Sequence, residues 1–524
     1  MDKIIGFSLT YGDTPPAPPW LADYPWLSKM LWAFPNGFKI MLWGHGNILK
    51  LMPDPITVGQ DSRYDMNPLD STGAIIEQAP DGIRVKGNLF KSPPIFYGSA
   101  NGKPYVSTCE ECVLQGLGGA TIGKGRLVSF LLHQGTTATL TLWEEIDQMD
   151  ANSELTIRSD GSFGTKWRDP MEFPAVNPDG YFNMVIEVIR SYTEPLGDIY
   201  LAMTSGYDSR LIMVCADRPE RIQTWTVPLG KPWERNSEYL WAARSAELWG
   251  VTSHMVKFHD GLAPYTQPFI EYCGATASAY TAYIFAMYAF ANQEVMLPML
   301  SGTNGDSVTG SGYNDLVQRG VADMGLGEQA ISICRDHGDM GWSDDKLDAA
   351  LAFDWREELE KVKPQLVQAW QTTEGLSFQA RAALFRVRNR TANIMRPALD
   401  SADLWGGAVA PYADRRHAAW MLALPDELRE GRRLVIETTT TRVPQIFNRP
   451  SGLTDDSYDS NNTLDEDLAS EETIWPLNGF AHDLFKTERV KEICQGAAAV
   501  DMPSVRLAWG LQPIAWAMKR GYVK

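Results

Sequence analysis

Between residues 181 and 249 the chain alternates two hydrophobic periods, and that alternation constrains its fold more than any other feature. Residues 181–192 are apolar at helical spacing. Residues 198–203 form a short apolar run that ends in a Thr-Ser-Gly turn, and a helical pattern restarts at Leu211. Residues 221–227 read as a second strand, and Ser237–Trp249 as an amphipathic helix. Strands separated by helices predict a parallel sheet with helices on its faces. From about 265 to 445 the pattern is mostly helical. The apolar stretch 283–291 is too short to span a bilayer and reads as a buried helix.

The first 165 residues have a different texture. Segments such as 38–43 and 82–87 alternate apolar and polar residues and are broken by Gly, Pro and Asp, which is strand-and-turn punctuation. Residues 158–180, rich in Asp, Gly and Pro, read as a linker. Residues 454–472 are acidic and polar, from Asp455 to Glu472, and read as a loop or lid. With 524 residues the chain is too long for one ordinary core. It divides into 1–165 and 181–524.

Composition narrows the function classes. Hydrophobic residues make up 44% and charged residues 21%, the profile of a folded soluble protein. A net charge of −18 repels phosphate backbones and anionic lipid, so no nucleic acid and no membrane partner is expected. A nucleotide pocket needs only a few local charges and stays open. Six cysteines are too few for a disulfide framework. Cys109 and Cys112 form a CxxC pair with no second pair nearby and read as ordinary thiols. The first residues lack a secretory apolar region and no run of 18 apolar residues occurs, so a cytoplasmic protein is expected.

The chemistry concentrates in Leu201-Ala202-Met203-Thr204-Ser205-Gly206-Tyr207-Asp208-Ser209-Arg210. This segment lies between a strand and a helix, at the carboxyl edge of the expected parallel sheet, where backbone N–H groups and the helix dipole converge on a ligand. Ser205 and Gly206 are small enough for close approach of a phosphate. Thr204, Ser205 and Ser209 add hydroxyls. The Asp208 carboxylate would repel phosphate alone and makes sense as a Mg²⁺ ligand. The same residue types cap helices, so the loop by itself supports either reading equally. A second segment runs Leu300-Ser301-Gly302-Thr303-Asn304-Gly305-Asp306-Ser307 and continues to Gly312-Tyr313.

Together these segments resemble the asparagine synthetase family. The first is similar to its S-G-G-x-D-S pyrophosphate loop, with Thr204 for the first Ser and Ser205 for the first Gly, while Gly206, Asp208 and Ser209 match. The second is similar to its G-x-G-x-D-E-x-x-x-G-Y region, with Asp306 at a Mg²⁺ ligand and Ser307 in place of Glu. Asn236-Ser237-Glu238, Ala242-Ala243, Gly250 and His254 follow its pattern after the second strand, with His254 read as structural. Residues 411–414, Pro-Tyr-Ala-Asp, resemble its P-F-x-D segment. Where relatives carry a Lys, this chain has Arg432, Arg433, Arg442 and Arg449. Arg386, Arg388 and Arg390 form a basic helix edge, read as a solvated face.

The resemblance implies an α/β fold in two parts. An N-terminal β-rich, glutaminase-like (Ntn-type) sandwich remnant precedes a parallel sheet of the adenine-nucleotide α-hydrolase type with a largely helical extension. Residues 87–97 and 143–149 resemble glutaminase elements, but Asp2 stands where a working glutaminase of this class has its nucleophilic Cys, so that hydrolysis is excluded. The implied activity is ATP-dependent ligation: a carboxylate is adenylated, pyrophosphate leaves, and ammonia or an amine forms the amide. Asp208 and Asp306 would hold Mg²⁺ and serve catalysis. Thr204, Ser205, Gly206, Tyr207, Asp208, Ser209, Val227 and Gly302 would bind ATP. Intramolecular cyclisation, as in β-lactam synthetases and lasso-peptide cyclases, is the alternative, as is a nucleotide-binding protein that has lost catalysis. The expected partners are a small-molecule or peptide carboxylate, an amine donor and a biosynthetic-cluster protein.

Overall fold

The computed structural model describes residues 2–524 apart from 52–54, 60–62, 64–65, 169–170, 229–236, 259–261, 311–313, 336–341, 449–482 and 499–501. The acidic stretch 454–472, Arg449, Asn236 and Gly312-Tyr313 therefore lie outside the described residues. Sixteen strands are present among the described residues. In chain order they are β1 (Lys3–Tyr11), β2 (Ser28–Ala33), β3 (Phe38–His45), β4 (Ile56–Val58), β5 (Ala74–Ala79), β6 (Gly82–Lys86), β7 (Phe96–Ala100), β8 (Lys103–Ser107), β9 (Asp147–Gln148), β10 (Ser153–Ile157), β11 (Phe163–Trp167), β12 (Ile199–Ala202), β13 (Ile222–Thr226), β14 (Thr252–Met255), β15 (Met299–Leu300) and β16 (Ala408–Val409). The first five α-helices are α1 (Glu110–Leu117), α2 (Lys124–His133), α3 (Tyr181–Thr193), α4 (Tyr207–Cys215) and α5 (Ser237–Trp249).

The N-terminal strands form two antiparallel sheets, ordered β2-β3-β1-β8-β7-β9 and β11-β10-β6-β5-β4. They pack face to face through Phe7, Leu9, Ile40, Leu42, Ile76, Val85 and Leu155, as two half-apolar sheets must. β1 is buried along nearly its whole length, because the other face of its sheet is covered by α1 and α2 through Val113, Leu114, Leu127 and Leu131. Those helices interrupt a stretch whose sequence reads as strands. The expected linker also begins later than its composition suggests. Residues 158–162 are the turn of the β10–β11 hairpin, in which Asp160 Oδ1 accepts from Ser162 N (2.9 Å). Asp and Gly there are turn chemistry.

The third sheet is parallel throughout, ordered β14-β13-β12-β15-β16. β13 and β14 lie on one side of β12, and β15 and β16 on the other, so the connections reverse direction between β12 and β15. Ligands bind in the crevice such a reversal creates. β15 and β16 are two residues each, too short to register in a segment that otherwise reads as helical. The apolar stretch 283–291 is the largely buried helix Ala282–Ala291. Among the described residues no helix is long and apolar enough to cross a membrane.

Buried polar contacts tie the first 167 residues to the rest. Lys3 Nζ pairs with Asp403 at 2.6 Å, with side chains only 3% and 10% exposed. Ser92, Arg396 and Asp400 form a second buried cluster. Asp2 accepts a hydrogen bond from Asn47 N (2.8 Å). Glu110, fully buried at the start of α1, accepts from Ala275 N (2.7 Å). Burial pushes its pKa up to about 7, against the pull of its hydrogen bonds. A carboxyl with a raised folded-state pKa contributes stability below its unfolded value that is lost as pH rises through the folded one. Glu110→Gln, uncharged at every pH, should therefore melt with wild type near pH 4.5 and above it at pH 8. Parallel melting curves at both pH values would contradict this.

Candidate functional site

The site is built on neighbouring strands. β12 and β15 pair in parallel, Leu201 against Leu300, so the turns leaving them emerge side by side. The turn after β12 leads into α4 with Gly206 as its N-cap, four residues earlier than the periodicity places that helix. Asp208 thus sits in the first helical turn, where the dipole favours negative charge. The turn after β15 leads into the short helix Gly305–Thr309, which carries Asp306 in its first turn.

Two glycines set how close these turns come. A Cβ on Gly305 would lie 2.4 Å from Asp208 Cγ, and one on Gly302 would lie 3.1 Å from both Asp208 Cβ and Ser209 N. A Cβ at 305 would clash outright and one at 302 would be tight, so the 302–306 turn lies against Asp208. The turn that carries Asp306 is thereby packed against Asp208, near enough for the Asp306 charge to act on the Asp208 carboxyl.

A third group completes the arrangement. Arg432 forms an ion pair with Asp208, with the two side chains 14% and 18% exposed. Arg432 and the preceding Gly431 both adopt left-handed backbone, φ +62° and +57°, a conformation that a non-glycine residue rarely keeps without tertiary support. Burial pushes the Asp208 pKa up, the Arg432 guanidinium pulls it down, and Asp306 adds to the rise. Arg432 is held charged: burial works against its charge, and Asp208 and Asp306 together outweigh it. Of the other arginines in its group, Arg433 pairs at the surface with Glu437 (2.8 Å) and Arg442 is exposed.

The loop from Thr204 to Ser209 is internally bonded. Thr204 N donates to Ser209 Oγ (3.0 Å), Gly206 N donates to Thr204 Oγ1 (3.1 Å), and Ser209 Oγ donates to Thr204 O (3.1 Å). Ser205 gives its N–H and hydroxyl to the two carboxylate oxygens of Glu238, at 3.0 and 2.6 Å. Tyr207 stacks on Phe447, ring centroids 5.6 Å apart, and the Arg210 guanidinium lies 5.2 Å from the Tyr207 ring. Tyr412 donates its hydroxyl to Asp208 O (3.2 Å). Val227, half-buried, directly follows β13, whose Trp225 carbonyl accepts from Met203 N (2.9 Å). His254 stacks flat on Trp225 at 4.6 Å, a packing role.

Arg210, Glu238, Tyr412 and Phe447 were not legible as site residues. Only the adjacency of Arg210 to Ser209 and the family-like position of Glu238 gave a signal. The solvated face read for Arg386, Arg388 and Arg390 is corrected: Arg386 and Arg388 are 2% and 4% exposed. Arg386 Nε donates to Ile333 O (3.2 Å) and Arg388 lies over the Trp167 ring. Their helix packs inside the molecule, which spacing alone does not reveal. Cys109 and Cys112 are buried free thiols, and among the described residues no cluster of three or more His, Cys, Asp or Glu could hold a metal. A cavity of about 790 Å³ opens elsewhere, lined by Trp167, Trp420, Lys166, Arg168, Arg415 and Arg416. It does not include the 204–209 loop.

No family model matches this chain, and no curated protein matches it. Among solved structures, it aligns with the glutamine-dependent NAD⁺ synthetase from Acinetobacter baumannii in complex with ADP, at 17% identity and a TM-score of 0.19. The match covers 38% of this chain and 43% of that one, so the chain spans less than half of that protein's length. At that overlap the likeness bears on neither the fold nor the activity of this chain.

Removing Arg432 leaves a buried carboxylate without its cation. Breaking a fully buried pair costs about 3–5 kcal/mol. The residual exposure here reduces that to roughly 2 kcal/mol. Arg432→Met should lower the melting temperature at pH 7 by several degrees, whereas Arg433→Met should stay within about a degree. Equal midpoints for the two variants would remove the pair from the account.

Proposed function

We propose that this chain is an ATP-dependent ligase of the asparagine-synthetase type. The observation that carries the reading is the Asp208–Arg432 ion pair at the carboxyl edge of a parallel sheet, where strand order reverses, with the turn that carries Asp306 packed against Asp208. The donor set suits a hard divalent cation, which takes oxygen ligands. Asp208 and Asp306 would hold Mg²⁺, which neutralises charge on the departing pyrophosphate. The N-terminus of α4 and the Thr204, Ser205 and Ser209 hydroxyls would bind the phosphates of ATP, with Gly206 and Tyr207 shaping the turn. Val227 and Gly302 would line the nucleotide site. Arg432 brings a permanent positive charge to the same edge.

In the first step a substrate carboxylate attacks the α-phosphorus of ATP, giving an acyl-adenylate and pyrophosphate. In the second an amine attacks the acyl carbon, giving an amide, AMP and a proton. The nucleophile is ammonia, a separate amine, or an amine of the same small molecule or peptide. The chain's part is positioning and electrostatic stabilisation, the terms that dominate such transfers. A nucleotide-binding protein without turnover is the second reading, favoured by the hydrogen bonds that already engage Thr204 and Ser205.

The test is product analysis with ATP and Mg²⁺ across a panel of carboxylates and amines. AMP and pyrophosphate are expected, and ADP with phosphate would overturn the class. Nucleotide binding without either product would favour the second reading. Asp208→Asn should lower turnover by about 10²–10³-fold while the melting curve remains cooperative. Wild-type turnover in that variant would remove Asp208 from the mechanism.

A further inference from the structure

The contact between Ser205 and Glu238 has the form of an anion site that is already filled. Ser205 is the second residue of the loop after Thr204 and is 1% exposed. Its N–H points to one oxygen of the Glu238 carboxylate and its hydroxyl to the other. One backbone N–H and one hydroxyl converging on two oxygens of a single anion, next to a helix N-terminus, is how such a turn holds a phosphate. Glu238 comes from α5, the helix after β13, and not from the loop itself.

Two further buried side chains near this edge carry polar atoms without a partner among the described residues. Arg210 is fully buried, and its Nη2 has no hydrogen-bond partner among the described residues. Asn304 is 1% exposed, and both atoms of its side-chain amide are unpartnered among the described residues. Asn304 lies between Gly302 and Gly305, the two residues in contact with Asp208. Buried donors and acceptors left without partners carry a desolvation cost that a ligand or water relieves.

We infer that Glu238 is an internal anion that competes with phosphate for the Ser205 donors, so that nucleotide or pyrophosphate binds this loop only by displacing it. The inference rests on the proposed reading of the loop as a phosphate site. Two anions sharing the same pair of donors repel, and the protein's own carboxylate is present at every ligand concentration. Affinity for phosphate is therefore set below what the bare loop would give. A neutral amide at position 238 can still accept from Ser205 but no longer repels phosphate. A residue that merely braced the loop would show the opposite sign, since its loss would loosen the cradle and weaken binding.

The experiment is calorimetric titration of the full chain with inorganic pyrophosphate, and separately with ATP and Mg²⁺, at fixed ionic strength. Wild type, Glu238→Gln and Glu238→Ala are compared, with Glu247→Gln as a control that removes the same charge from an exposed position on the same helix. Thermal melting checks that each variant is folded. Pyrophosphate affinity should rise about tenfold or more in Glu238→Gln, move the same way in Glu238→Ala, and stay unchanged in Glu247→Gln. Wild type binding pyrophosphate as tightly as both Glu238 variants, or more tightly, would overturn the competition and leave the nucleotide reading standing. An equal gain in Glu247→Gln would assign the effect to overall charge and overturn it as well. No binding of pyrophosphate or ATP by any form would overturn both this inference and the reading beneath it.

Discussion

The parallel pairing of β12 with β15 is the constraint on which the site depends. Adjacent parallel strands leave a sheet at the same edge, so the turns that follow them are neighbours whatever their separation in sequence. That geometry packs the turn that carries Asp306 against Asp208 although about a hundred residues separate the two. The glycine at 305 then allows contact where a side chain would force the turns apart, and the one at 302 keeps the approach close. Two β-bonded residue pairs, Tyr200 with Met299 and Leu201 with Leu300, set the register of the whole arrangement.

Bringing carboxylates together in a partly buried place is costly, and the rest of the site answers that cost. Arg432 is the cation that balances the pair, held on a left-handed backbone from the far end of the chain. Tyr412, Phe447 and Arg210 enclose the loop from other elements, so the loop's conformation is supported from several directions. A cluster that needs a positive charge in its resting state is suited to exchange or share that charge with a metal-bound phosphate. An overall charge of −18 does not by itself exclude an anion site here, because the local balance at the edge, not the net charge, decides whether an anion binds.

Much of this was legible in the chain itself, for physical reasons. The strands around 199–202 and 222–226 and the helices beginning at Tyr181 and Ser237 stood out because periodicity and burial coincide there. The two motifs pointed to Asp208 and Asp306 through their resemblance to a known family, since the residue types alone would serve equally as helix caps. What could not be read depends on long-range packing. The two-residue strands β15 and β16 carry no periodicity. Arg386 and Arg388 look like surface charges until their helix is seen to be enclosed. Arg432 is indistinguishable in sequence from Arg433, and only the turn at Gly431 separates a buried partner of Asp208 from a surface partner of Glu437. The start of α4 was placed late because Tyr207 and Asp208 are helix-opening residues and not part of an apolar stripe.

The most direct test of the shared-cation account is electron paramagnetic resonance of Mn²⁺ bound in the presence of ATP, in wild type, Asp208→Asn, Asp306→Asn and the double variant. If both carboxylates hold one ion, each single variant should weaken Mn²⁺ binding by about tenfold or more, and the double variant should add little beyond either. Wild-type Mn²⁺ binding in either single variant, or losses that simply add, would mean that the two carboxylates do not share a cation.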